Sequence, residues 1–597
     1  VGYSTIAEMF VGTTAKFGDK VLYREKKEGR WIGYTGKEVR EIVEQAAYGL
    51  AALGVDTGDK VGLISTNCPH WAFSDYAIIT LGAATVAVYP TLIPTQMQYI
   101  LDHSESKVAF AQDQEQVDKV LEVWDKLPRL EWVVCFDESV KGRHDKVLTF
   151  QELQEKGREY RQQEGVFKYE ERVRAIKPDD LLTLIYTSGT TGAPKGVMLT
   201  HNNLISNIVA SLEVLDLDHT DELLSFLPLS HSFERMAGHF LTFSVGATVN
   251  YAESIETVIP NMAEVQPTVV LSVPRLYEKM YSGVQAKFAS GSPLKRKIAA
   301  WAVDVGYQYV KARREGNISA GLKWKKNLAD KLVFSKVQAL LGPRFRFFVS
   351  GGAPLSAEIG LFFDAAGIII LEGYGLTETS PVLTVNPLSD YRFGTVGPPL
   401  SNVELKIAPD GEILARGPNV MMGYYKDPEA TKEAIDEEGW FHTGDIGVLE
   451  DGYLKITDRK KNLIVTAGGK NIAPAPIENA LVLNKYIEQA VVIGDRRKFV
   501  SALIVPDFVA LTAWAEEQGL DTSDQEALVK NEKVQALYEH EIGEVMKNFS
   551  RFEAIKKFLL LPKPFTIEDG TLTPSLKVKR KIVEDRYKQE IDALYEE

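Results

Sequence analysis

Only two cysteines, Cys68 and Cys135, occur in 597 residues, too few for a disulfide framework or a cysteine-based zinc site. A reducing compartment is the expectation. No stretch reaches the roughly 18 to 20 apolar residues that a membrane-spanning helix needs. The opening VGYSTIAEMF has no basic region followed by an apolar one, so we expect a cytoplasmic protein. Basic residues are in the minority, 68 Lys and Arg against 82 Asp and Glu, and the net charge of −14 argues against nucleic acid as a partner of the whole chain. The composition, 45% hydrophobic and 25% charged with 46 Gly and 26 Pro, is that of a soluble globular protein with neither repeats nor disorder. The length predicts roughly three to five folding units.

Charge is unevenly spread. Between Lys279 and Arg346 there are fifteen Lys and Arg against three acidic residues, a local +12 that leaves −26 for the remainder. Residues 32–130 alternate helical spacing (YTGKEVREIVEQAAYGLAALGV) with short apolar runs (KVGLIS), which predicts a parallel α/β sheet. Residues 151–180 read as a solvated charged helix and connector. Three apolar runs then end in glycine-rich turns, LIYTSGTTG, RFRFFVSGGAP and GIIILEGYG. Ligands of open α/β sheets sit beyond the carboxyl ends of strands, so these exits predict one site. After Asp458 and Arg459 the chain becomes more charged, with a small α+β pattern and a Lys-rich terminus.

TSGTTGAPKG, residues 187–196, has the composition of a polyphosphate cradle. Its glycines let backbone N–H groups approach an anion, its hydroxyls donate, and Lys195 supplies a point charge. Taken alone, the same composition also suits a surface turn. It is not the P-loop pattern, because Lys195 follows Pro194 and precedes Gly196 where that pattern needs Gly-Lys-Ser/Thr. Kinase and GTPase readings lose most of their weight. Asp445, following Gly444 in FHTGDIG, has two acceptor oxygens suited to the vicinal hydroxyls of a ribose, and would look the same as a turn-forming Asp.

TSGTTGAPKG resembles the signature loop of the adenylate-forming superfamily. GYGLTETS (373–380), TGD (443–445), DRKKNLI (458–464) and LTPSLKVKRK (572–581) follow in that family's order. The resemblance implies an α/β fold. A large N-terminal domain (1–457) would have parallel and mixed sheets flanked by helices and a β-barrel-like subdomain; a small mobile α+β C-terminal domain (458–597) would close on it. ATP and Mg²⁺ would bind between them. On the same ground Thr187, Ser188, Gly189, Thr190, Thr191 and Gly192 would contact the phosphates with Lys195. Gly352, Ala353 and Pro354 would wall the adenine pocket, and Gly373, Tyr374 and Gly375 would bring an aromatic ring onto the base. Thr377 would touch phosphate, Glu378 and Thr187 would serve the metal, and Asp445 and Arg459 would serve the ribose or phosphate. The hinge would lie at 458–461, with Asp458 beside it and Lys461 as pivot, although Lys460 next to it could exchange with Lys461 by a one-residue shift. Lys577 would reach the reacting phosphate, although many relatives have Gly where this chain has Leu576.

PLSHSFERMAG (228–238), NLIVTAGGKNIAPAPIE (462–478) and the helical insertion at about 280–340 resemble those of long-chain fatty acyl-CoA synthetases. This resemblance puts His231 and Phe233 near the acyl entrance, and Gly468, Gly469 and Lys470 on the route of CoA. No carrier domain follows residue 597, so the expected acceptor is CoA and the expected substrate a medium- or long-chain fatty acid. A fatty acyl-AMP or acyl-carrier ligase is the alternative within the superfamily. A lipid- or nucleotide-binding protein on an inactive scaffold is the alternative outside enzymes. The insertion intersperses Phe288, Trp301, Tyr307, Tyr309, Trp324 and Phe334 among its cations, the composition of a surface that meets anionic headgroups and buries aromatics shallowly. Peripheral contact with an anionic membrane surface is one reading of this segment, and an ordinary basic helical face is the other.

Overall fold

The computed structural model describes residues 2–141, 144–187, 193–467, 471–566, 569–573 and 577–596. Among these residues two eight-stranded sheets dominate. One is built around Lys60–Ile64, Ala84–Val88, Val108–Ala111 and Trp132–Cys135, which run parallel. These strands are buried almost throughout and read as unbroken apolar runs because helices cover both faces. Leu181–Thr187 joins them in parallel, followed by the antiparallel Lys195–Thr200 and Gly423–Tyr424. The second sheet is built around Glu222–Ser225, Val269–Ser272, Phe347–Ser350 and Ile370–Gly375, also parallel. The three glycine-rich exits thus belong to two sheets. Phe347–Ser350 and Ile370–Gly375 are neighbours in one, and Leu181–Thr187 belongs to the other.

Helix Pro69–Leu81 has no polar face, and all its residues except His70 are buried. Such a helix needs cover all round, which it finds by packing against strands of both sheets. A π-helical segment, Glu234–Leu241, is likewise buried throughout. Its Arg235 reaches Asp75 of the helix, Nε donating at 3.1 Å, and also Thr183 of the first sheet. Thr85 donates to the same carboxylate at 2.6 Å, and His239 Nε2 stands 3.4 Å from it. A buried charge is tolerable only when paired and hydrogen-bonded, and Thr85 and Thr183 tie this pair to the first sheet.

Residues 151–180 are less solvated than expected. Helix Phe150–Arg161 buries Phe150, Leu153 and Gly157 against helix Gly36–Ala52. A Cβ on Gly157 would lie 1.9 Å from the Gln45 carbonyl, so only glycine permits this approach. The expected β-barrel-like subdomain is an antiparallel sheet of four described strands, in the order Glu404–Ile407, Glu412–Arg416, Phe441–Glu450 and Tyr453–Arg459. Its edge strands do not pair with each other. A twist of about 20–25° per strand does not turn four strands far enough to close.

Beyond this sheet, Ile487–Ile493, Val500–Pro506 and Ile555–Leu560 form a three-stranded sheet. It packs with helices Pro474–Leu481, Phe508–Glu517 and Glu532–Met546 around a separate apolar core that includes Ile477, Val492, Ile504, Leu511 and Tyr538. The insertion is helical, as expected, through Pro274–Ala289, Pro293–Arg314 and Ala320–Ala329. Its aromatics are not a shallow surface set. Phe334 is fully buried, and Phe288, Trp301 and Tyr307 pack against the helices' own apolar clusters. Of the six, Trp324 alone stands out, at 66% exposure. Composition could not separate aromatics that hold three helices together from aromatics that face outward.

Candidate active site

The signature loop closes an antiparallel hairpin. Strands Leu181–Thr187 and Lys195–Thr200 pair so that Thr187 stands opposite Lys195, which fixes both ends of the loop. Ser188, Gly189, Thr190, Thr191 and Gly192, like Gly468, Gly469 and Lys470, lie outside the described residues. The Lys195 ammonium sits 5.0 Å from the ring centroid of Tyr424, and the Tyr424 hydroxyl donates to Glu378 Oε1 at 2.9 Å. Tyr424 thereby links the loop's cation to the expected metal carboxylate.

Glu378 lies in the short turn Thr377–Thr379 that follows strand Ile370–Gly375. The turn is tight: a Cβ on Gly375 would fall 1.7 Å from the Pro381 carbonyl oxygen. Asn207 brackets the exit from the turn, accepting from Val382 N at 3.0 Å and donating to Val382 O at 2.7 Å. Asn419 donates to Thr379 O at 2.8 Å. Burial pushes the Glu378 carboxyl above its ordinary pKa, and Tyr424 and Arg459 only partly oppose it. Such a carboxylate would gain from a cation. Among the described residues no three His, Cys, Asp or Glu side chains cluster as a metal cage. The donor set fits Mg²⁺, which binds through one or two carboxylates plus substrate phosphates.

Asp445 and Arg459 face each other across strands Phe441–Glu450 and Tyr453–Arg459. Arg459 Nε is 3.4 Å from Asp445 Oδ1, and the Tyr374 hydroxyl donates to Oδ2 at 2.6 Å. Burial raises the Asp445 carboxyl's pKa against the pull of Arg459 and Tyr374. Each carboxylate oxygen accepts more than one hydrogen bond, so both can still serve ligand hydroxyls. The TGD turn is supported from below by Glu412, whose Oε1 accepts from Gly444 N at 2.9 Å.

Lys577 belongs to the same cleft. It lies at the base of a turn in which Leu572 and Val578 pair, and its N–H donates to Thr573 Oγ1 at 3.0 Å. Burial, and next the positive charge of Arg459, lower its pKa to about 8, while Asp445 and Glu378 act in the opposite direction. Lys577 is in turn the charge that adds to burial in lowering His231 to about 4. His231 Nδ1 accepts from Phe233 N at 3.2 Å, Ser232 Oγ is 3.2 Å from Thr377 Oγ1, and the Phe233 ring borders Gly351. Gly352, with φ +80°, Ala353 and Pro354 are exposed beside it. Lys577, Arg459, Asp445, Glu378, Thr377 and His231 thus converge from segments more than 340 residues apart.

Around the expected hinge the two neighbouring lysines differ. Lys460 is pinned to Asp410 at 2.6 Å and Glu412 at 3.0 Å, whereas Lys461 is exposed. Asp458 Oδ2 accepts from Ala475 N, at the start of helix Pro474–Leu481, at 3.0 Å. Sequence reasoning missed Tyr424, Glu412 and Arg580. Arg580 joins Glu478 Oε1 and Val492 O, each at 2.7 Å, three residues beyond Lys577. Tyr424 and Glu412 sit in no composition that singles them out, and Arg580 is hidden among the lysines of LTPSLKVKRK.

The family model described as "AMP-binding enzyme" matches residues 10–425, and "AMP-binding enzyme C-terminal domain" matches residues 461–597. A long-chain-fatty-acid–CoA ligase of Mycobacterium bovis is 38% identical over 584 residues, 97% of this chain and 94% of the relative. One from Xenopus laevis is 33% identical, covering 99% of this chain and 84% of that protein. The adenylation domain of a carboxylate reductase from Mycobacterium chelonae superposes with a TM-score of 0.79 at 24% identity, covering 100% of this chain and 91% of that one.

Proposed function

The chain belongs to the AMP-binding enzyme family, and from that premise we infer that it is an AMP-forming long-chain fatty acid–CoA ligase. It activates a fatty acid with ATP and Mg²⁺ to acyl-AMP and then transfers the acyl group to CoA. The relatives' identity over 97% and 99% of this chain supports this activity. The observation that carries the site assignment is the convergence of Lys577, Glu378, Asp445 and Arg459 in one cleft.

In the first half-reaction a carboxylate oxygen attacks the α-phosphorus. The bond from that phosphorus to the bridging oxygen breaks, and pyrophosphate leaves. Negative charge gathers around phosphorus, and the Lys577 ammonium stabilises it in the transition state more than in the ground state. Thr187 and Lys195 hold the ends of the phosphate loop, Tyr374 and residues 352–354 border the base, and Asp445 with Arg459 takes the ribose. Glu378, with Thr187, would hold Mg²⁺, which screens the phosphate charge when bound. In the second half-reaction the CoA sulfur attacks the acyl carbon and AMP departs. The small domain turns about Lys461 while Lys460 stays anchored to Asp410 and Glu412, which withdraws Lys577. His231 and Phe233 border the acyl entrance. A panel of acids from acetate to oleate, scored for AMP with and without CoA, tests the reading. CoA-stimulated AMP release restricted to longer chains supports it, and AMP release indifferent to CoA contradicts it.

The Lys577 pKa of about 8 sets a pH dependence. The charged form acts, so kcat/KM for adenylation holds below pH 8 and declines as pH rises through that value, since this quantity reports the free enzyme. Lys577→Arg keeps its charge to far higher pH and loses the alkaline decline whatever its absolute rate. An unchanged alkaline limb in that variant would assign the titration elsewhere.

Peripheral membrane contact is a second, narrower reading. Trp324 (66%), Leu294 (68%) and Leu332 (45%) are exposed on helical segments that also carry Lys295, Arg296, Lys297, Lys323, Lys325 and Lys331. Each cation near an anionic surface is worth about 1 kcal/mol. Co-sedimentation with anionic but not neutral vesicles, weakened by Trp324→Ala, is the expected result. Equal binding to both kinds of vesicle, or to neither, contradicts it.

A further inference from the structure

The small domain is gripped by the large one at a point away from the reacting groups. Arg275, second residue of helix Pro274–Ala289, donates through Nη2 to Glu488 Oε1 at 2.8 Å and through Nη1 to the Glu488 carbonyl at 3.2 Å. Both side chains are about one-third exposed. Leu483, also from the small domain, packs against the apolar cluster that contains Leu276, Tyr277 and Met280 of the same helix. On the large-domain side this helix follows strand Val269–Ser272, whose Ser272 pairs with Ser350 at the start of the adenine wall. Val273 faces Gly352 across 3.7 Å, measured from the position a Cβ would take.

The far end of the contact leads to Lys577. Glu488 adjoins Gln489 on strand Ile487–Ile493, and the Gln489 side chain accepts from Phe565 N at 2.7 Å and donates to Phe565 O at 3.2 Å. One residue on, Leu572 N donates to Thr566 O at 2.9 Å, and Leu572 pairs with Val578 beside Lys577. A short, continuous run of hydrogen bonds thus joins the Arg275 contact to the lysine turn. A swing of the small domain that withdraws Lys577 would have to part Arg275 from Glu488 and lift Leu483 from its cluster.

We propose that Arg275, Glu488 and Leu483 form the latch that holds the small domain in its adenylation pose, and that Arg275 and Glu488 are positioning residues for Lys577. The latch rests on the two-step reading above. Partly exposed ion pairs are individually weak, which suits a contact that must break once per turnover. Removing it changes the balance of poses by about two- to fivefold, and charge reversal, which adds repulsion, by about tenfold.

The test uses the 597-residue chain with Arg275→Glu, Glu488→Arg and the pair combined. Pyrophosphate–ATP exchange reports adenylation, and conversion of supplied acyl-AMP with CoA reports the second step. The latch predicts that each single reversal slows exchange about tenfold without slowing thioester formation, and that the combined reversal restores exchange. Equal losses in both steps, no loss in either single variant, or a combined loss equal to the product of the two would overturn it. Energy transfer between dyes at Ser282→Cys and Val509→Cys, both at exposed positions, reads the pose without chemistry. Arg275→Glu should lower the close-domain population, and an unchanged distribution counts against the latch even if no acid proves to be a substrate. Absence of exchange in the unaltered protein would instead strike the function itself.

Discussion

Lys577→Ala slows acyl-adenylate formation by about 10²- to 10³-fold, the loss typical of one preorganised transition-state donor, while supplied acyl-AMP is still converted to thioester at close to the unaltered rate. The asymmetry follows from where the ammonium acts. Charge grows around the α-phosphorus only in the first half-reaction, and Lys577 shares a cleft with the carboxylates of Asp445 and Glu378 that border this site. In the second half-reaction phosphorus is no longer the electrophile, and the proposed swing of the small domain would carry the lysine away. Rapid-quench measurement of acyl-AMP, set beside a CoA-dependent assay started from acyl-AMP, separates the two steps. Equal loss in both would make Lys577 a structural residue.

The second large effect falls on stability. Asp75→Ala leaves the Arg235 guanidinium, 2% exposed, without its counter-charge in the core between the two sheets. Removing one partner of a buried ion pair costs about 3–5 kcal/mol, whereas replacing both by apolar residues of similar volume is often neutral. Asp75→Leu with Arg235→Met should therefore recover much of the stability that Asp75→Ala loses. Denaturant unfolding, followed through the large domain's own transition, checks this, because a chain with two cores does not unfold as a single two-state unit. The pair also carries a pH signature. Burial alone would raise the Asp75 carboxyl, but Arg235 and His239 hold it below its ordinary value. Its contribution is complete above the ordinary carboxylate range and disappears as pH falls through the depressed folded-state value. Loss of that acid dependence should accompany the double replacement.

The motifs assigned to the nucleotide were legible because their chemistry is local. Glycine near a phosphate, a carboxylate after a tight turn and a lysine near the terminus each carry their reason in a few neighbouring residues. What supports them was not. Tyr424 reaches Glu378 across 46 residues and Arg275 reaches Glu488 across 213, and an ordinary Tyr or Arg announces no such partner. Asp75 and Arg235, 160 residues apart, carry no local sign that the fold buries them against each other. The parallel sheet over 32–130 was legible from alternating patterns. The same patterning misread the insertion's aromatics, because helices that pack on one another and helices that meet a surface use the same ones. The barrel-like subdomain came from resemblance, and four short strands leave it open.

The central claim is that a carboxylate oxygen displaces pyrophosphate from ATP. A fatty acid labelled with ¹⁸O in its carboxylate tests it most directly. With ATP, Mg²⁺ and CoA, the account predicts that one labelled oxygen per turnover appears in the phosphate of AMP. Label in inorganic phosphate, with ADP as the nucleotide product, would mean attack at the terminal phosphorus and would contradict the account.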